Sequence, residues 1–154
     1  MKFSSREDIE APADFVFEQL CRFERFERSA MRRGAEVQRL DDIPAAGIGM
    51  RWAVSFEMRG RMRHLTLEMT EFDRPRAIKV ISVSNGIYGE FLINLMALSP
   101  RMTRLSVSLD VSPKTLAARL MIQSIRLAKG SVSRRFKQRV ADFGARVEES
   151  YRSA

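Results

Sequence analysis

Three side chains able to move protons or orient a carbonyl share one face of a single strand: Tyr88, Glu90 and Asn94 alternate with Phe91, Ile93, Leu95 and Ala97. A carboxyl group such as Glu90 does general acid–base work when it is desolvated, because burial raises its pKa towards neutrality. The wholly apolar face is expected to turn inward, so no catalytic residue is assigned. Glu90 is the candidate only in the converse orientation. His64, the one histidine, falls on the polar side of its strand, opposite Leu65 and Leu67, and reads as a solvated surface residue. Cys21, the one cysteine, has no histidine near it in sequence and reads as a small buried hydrophobe.

One Cys and one His fall short of the three or four ligands that a typical zinc site needs, so no metal is expected. Neither G-x-x-x-x-G-K-[ST] nor G-x-G-x-x-G occurs, and no nucleotide cofactor is expected either.

The elements that must position these groups follow from periodicity. Trp52, Val54, Phe56 and Met58 alternate with Arg51, Ser55, Glu57 and Arg59, and Leu65, Leu67 and Met69 alternate with His64, Thr66, Glu68 and Thr70. Both are half-buried strands, with Gly60 at the hairpin turn between them. Ile78, Val80 and Ser82 form another, ended by Asn85-Gly86, a strong hairpin signal. The run from Glu90 to Leu98 follows, and Leu105, Val107, Leu109 and Val111 close the series. No crossover of a dozen or more residues separates these strands, so the sheet must be mostly antiparallel.

Two short helical stretches come earlier, Ala13–Leu20 and a turn around Phe23–Phe26. At the other end Ser112 suits an N-cap and Pro113 the first helical position. From there Met121, Ile125, Ala128, Val132, Phe136, Val140, Phe143 and Val147 recur in steps of three and four, predicting one amphipathic helix from about Pro113 to Tyr151. Gly130 sits within it and weakens it by roughly 1 kcal/mol relative to alanine.

At 154 residues and 45% hydrophobic side chains, with no Pro/Gly/Ser-rich linker, the chain is expected to form one domain over residues 1–154. Met1–Asp8 is interrupted by charge at every second or third position, which does not fit a signal peptide, and no run approaches about eighteen apolar residues. With a lone cysteine, this predicts a cytoplasmic protein. The sequence assigns no oligomeric state.

The order of parts carries a resemblance. Ile9-Glu10-Ala11-Pro12-Ala13 ending a first strand, followed by Val16-Phe17-Glu18-Gln19-Leu20, a strand series and a long last helix, resembles the START-like superfamily of polyketide cyclases and lipid-transport proteins. The segment Cys21–Arg28 keeps the aromatic spacing of that family at Phe23 and Phe26 and lacks its aspartate and proline.

The resemblance implies an α+β helix-grip fold: an antiparallel sheet of six or seven strands wrapped around the C-terminal helix, with two short helices after the first strand. It further implies a cavity for a small hydrophobic or amphipathic molecule, such as a lipid, quinone or polyketide-like compound. Cyclase or dehydratase chemistry in that cavity is the alternative. The inward sets name its expected lining: Trp52, Phe56, Met58, Leu65, Leu67, Met69, Val80, Phe91 and Ile93, with Met121 and Ile125 from the helix. Nine methionines would make such a lining adaptable.

The net charge of +8 is concentrated in the last helix, where Lys114, Arg119, Arg126, Lys129, Arg134, Arg135, Lys137, Arg139 and Arg146 face Asp142 alone. A second basic cluster, Arg22 to Arg33, is diluted by Glu24 and Glu27. The charge suits contact with an anionic membrane, centred on Arg134, Arg135 and Lys137, or with a protein partner. No nucleic-acid-binding motif accompanies it, so nucleic acid is not an expected partner.

Overall fold

A computed structural model covers residues 1–154. The elements run β1 (Lys2–Ile9), α1 (Ala13–Leu20), α2 (Phe23–Arg32), β2 (Glu36–Arg39), β3 (Arg51–Met58), β4 (Arg61–Asp73), β5 (Ala77–Ser84), β6 (Ile87–Ser99), β7 (Met102–Pro113), α3 (Leu116–Arg126) and α4 (Lys129–Ser153). The seven strands form one antiparallel sheet in the order β1-β7-β6-β5-β4-β3-β2. Two-residue turns set the hairpins. At Arg59-Gly60 both residues take positive φ, 55° and 74°, whereas at Asn85-Gly86 only the glycine does, at 71°.

Cross-strand pairing stacks the apolar sets on one concave face. Trp52 opposes Leu67, Met69 opposes Val80, Val80 opposes Phe91, and Ile93 opposes Val107. At one end this face is packed solid: Ile9 and Met69 are inaccessible, Phe17 of α1 is buried with them, and Ile78 and Leu105, all but inaccessible, stand at the margin of this packing. Thr103 is a buried polar residue of that face, and its hydroxyl is satisfied by donating to the Ala11 carbonyl at 2.7 Å.

The long helix α4 lies along β1. Val140 and Val147 are buried in this seam, and the Phe136 ring stands 6.2 Å from that of Phe3. At Gly144 the two elements lie close: a Cβ there would stand 3.4 Å from Ile9 Cγ1, ordinary van der Waals contact.

The C-terminal helical region starts later than its sequence signals suggest and is divided. Ser112 and Pro113 finish β7 instead, where Pro113 falls at the last ladder pair and its missing N–H breaks little. Thr115 is the N-cap, its Oγ1 accepting from Ala118 N at 3.1 Å. The helix breaks at Leu127–Ala128, just before the weak helix former Gly130. The apolar repeat is therefore shared between two helices, with Met121 and Ile125 on α3 and Phe136 to Val147 on α4.

Candidate functional site

Beyond the packed end, the concave face stays open as a hollow of about 650 Å³ between the sheet, α2 and α4, lined by 22 residues of which 19 are hydrophobic. Only Glu27, Ser82 and Arg139 interrupt the apolar wall. The floor comes from strand positions of one parity, because alternate side chains point to the same side of a strand. The far wall is the Phe136, Val140 and Phe143 face of α4.

The roof is α2. Phe23, Phe26, Glu27 and Ala30 recur at helical spacing on its inner side, yet none of its residues is fully buried. It is fastened at a few points. The Phe23 ring meets Trp52 edge-on with centroids 5.8 Å apart, and Phe26 sits 6.1 Å from Phe143. The Trp52 indole Nε1 donates to Glu27 Oε2 at 3.2 Å.

The Arg39 guanidinium lies 5.7 Å from the centroid of the Trp52 ring, and Asp41 holds it with two bonds of 2.6 and 2.7 Å. Asp41 also accepts from the backbone N–H groups of Arg51, at 2.7 Å, and Ile43, at 3.1 Å. The Arg39 hydrogen bond first, and these two N–H groups after it, hold its carboxyl far below the usual carboxylate range against the opposing effect of desolvation. Asp41, Arg39, Trp52 and Glu27 thus form one polar chain from the β2–β3 connection to the roof.

Of the residues expected to line a cavity, Trp52, Leu65, Leu67, Val80, Phe91 and Ile93 come together around the hollow. Met69 is fully buried in the packed end, Phe56 and Met58 lie further along β3 towards the Arg59-Gly60 turn, and Met121 and Ile125 are half-buried on α3, away from the hollow. The reason is geometric: alternation identifies a face, whereas distance from α2 and α4 decides which part of it stays empty. Sequence reasoning missed the α2 residues as wall. The spacing Phe23, Phe26, Ala30 was the available signal.

Glu90 faces the convex side, where it pairs with Lys79 at 2.8 Å, and that bond raises the Lys79 pKa. Neither Tyr88, beneath the Lys114 ammonium, nor Asn94 lines the hollow. His64 is exposed and hydrogen-bonded through Nδ1 to Ser55 Oγ at 2.7 Å. Cys21 is half-buried against the core, and burial pushes its thiol pKa up, which makes it a poor nucleophile. No three His, Cys, Asp or Glu side chains converge as a metal-ligand set. Arg134, Arg135 and Lys137 are exposed on α4. No helix is long and apolar enough to cross a membrane.

This architecture, a seven-stranded antiparallel sheet curved over a long C-terminal helix, is a helix-grip fold. Solved structures share it over nearly the whole chain. A protein of Thermus thermophilus superposes with a TM-score of 0.69 at 13% identity, covering 97% of this chain and 99% of that one. Norcoclaurine synthase of Thalictrum flavum, a point mutant in complex with a transition-state analogue, gives 0.68 at 12% identity, covering 99% and 96%. The Zhui aromatase/cyclase of Streptomyces sp. R1128 gives 0.65 at 15%, covering 96% and 93%. No family model matches the chain, and no curated protein matches it by sequence.

Proposed function

We propose that residues 1–154 act as one cytoplasmic domain that sequesters a small hydrophobic or amphipathic molecule, of lipid, quinone or polyketide-like character, in the hollow beneath α2. The observation that carries this reading is the lining itself, 19 hydrophobic residues of 22 around about 650 Å³, a volume in the range of small-molecule sites. Affinity comes from apolar burial, worth about 25 cal/mol per Å² removed from water. Orientation comes from Glu27, Ser82 and Arg139, which would meet the polar end of an amphipathic ligand.

A cyclase or dehydratase acting in the same hollow is the second reading. Glu27 favours it, being the one carboxylate on the wall. In that case Glu27 takes the acid–base role and Glu90 has none.

Native mass spectrometry of the purified protein and a titration of Trp52 fluorescence with an apolar probe test the proposal together. A bound small molecule or a saturable spectral change is expected, and Val80→Trp, which fills the hollow, should weaken probe binding at least about tenfold. A wild-type protein that carries nothing and gives no saturable change would refute it.

A further inference from the structure

The short helix α3 has two apolar stripes, and the protein covers only one. Ala118 and Ile122 are buried, and Thr115 and Ala118 rest against Gly86 at the β5–β6 turn. On the other side Leu116, Leu120 and Leu127 are 72%, 58% and 94% exposed. At about 100° per residue these leucines fall within roughly 40° of one another and about half a turn from the buried pair. Leu127 keeps helical dihedrals, φ −63° and ψ −28°, so it continues the row.

Cations border this row on every side. Arg119 and Arg126 flank one edge. At the other edge Arg59, on the β3–β4 turn, donates from Nη1 to Ser124 Oγ at 2.6 Å, which also fixes α3 to that hairpin. Lys114 and Lys129 stand at the two ends. From Val111 to Ala141 the chain has eight Lys and Arg residues and no Asp or Glu, and none of the eight forms an ion pair.

We propose that α3 is a docking element for an anionic lipid surface: the three leucines enter the boundary between headgroups and acyl chains, and the bordering cations pair with lipid phosphates and carboxylates. Charge selects this occupant. A second copy of the chain seated on the same face would oppose one uncompensated set of cations with another. A bilayer of anionic lipid offers both the apolar layer and the counter-charge in the right order of depth. The surface lies on α3 rather than around Arg134, Arg135 and Lys137, and it holds whatever occupies the hollow.

The test uses the full chain with vesicles of phosphatidylcholine alone and of phosphatidylcholine with about 30% phosphatidylserine or phosphatidylglycerol. Sedimentation should be strong with either anionic mixture, weak with the neutral vesicles, and reduced by raising salt, since screening acts over about 8–10 Å. Replacing Leu116, Leu120 and Leu127 together by serine should lower vesicle affinity at least about tenfold while leaving net charge, melting temperature and the Trp52 probe response unchanged. Arg119→Gln with Arg126→Gln should lower it also and flatten the salt dependence. Equal sedimentation with neutral and anionic vesicles overturns the proposal. So does a folded serine variant that binds as wild type does. A vesicle-independent dimer abolished by the serine substitutions would assign the face to a second copy and overturn it as well.

Discussion

The indole Nε1 of Trp52 donates to Oε2 of Glu27 at 3.2 Å, joining the start of β3 to the helix that roofs the hollow. Helix α2 buries no residue completely, and this bond, two aromatic contacts and packing against β2 attach it. Helices held by few buried contacts open at low free-energy cost. Access to the hollow is therefore expected to depend on α2.

Glu27→Ala should loosen the roof. Loss of one such hydrogen bond costs about 1 kcal/mol, or roughly 2–4 °C in melting temperature for a chain of this size. Amide exchange over Phe23–Arg32 is expected to accelerate while β5 and β6 remain protected, and uptake of an apolar probe should quicken. Unchanged exchange in α2 would show that the bond does not hold it.

Asp41 should make stability fall at acid pH. Its carboxyl pKa is depressed in the folded chain, so its contribution is fully present above the ordinary unfolded value of 3.8 and is lost as pH falls below that towards the folded value. Asp41→Asn removes the contribution throughout. The melting temperatures of wild type and Asp41→Asn should differ by a constant amount above about pH 5 and converge below about pH 4. A gap independent of pH would mean that the charge of Asp41 is not what holds Arg39 and the loop.

Gly144 offers a test of how closely α4 seats on β1. Its missing Cβ would stand 3.4 Å from Ile9 Cγ1, ordinary contact, so Gly144→Ala should raise stability by up to about 1 kcal/mol through helix propensity. Gly144→Leu has no room and should cost about 1–3 kcal/mol. Denaturant unfolding of the two variants measures the difference, and a tolerated leucine would place α4 further from Ile9.

The Lys79–Glu90 pair lies on the convex face with both side chains reaching solvent. Such pairs contribute little, because solvent and salt screen them. Glu90→Gln should leave both the melting temperature and the Trp52 probe response within error of wild type. A lost probe response would put Glu90 at the hollow after all.

The sequence by itself determined which side of each strand is apolar. Period-two alternation in Trp52–Met58, Leu65–Met69 and Leu105–Val111 does not depend on what packs above it, and the turn residues Gly60 and Asn85-Gly86 set the hairpins through local backbone preference alone. The fold was legible for that reason, as was the orientation of Glu90, opposite Phe91 and Ile93.

Depth was decided by the tertiary structure. Met69 and Val80 are directly paired and share a face, yet Met69 is fully buried in the core while Val80 borders the hollow, because what packs over each stretch of the sheet decides where space stays empty. The last helical region shows the same division. A three-four repeat continues without interruption from Met121 to Val147, but helical periodicity carries no information about a change of axis at Leu127–Ala128, nor about which of two apolar stripes on α3 the sheet would cover.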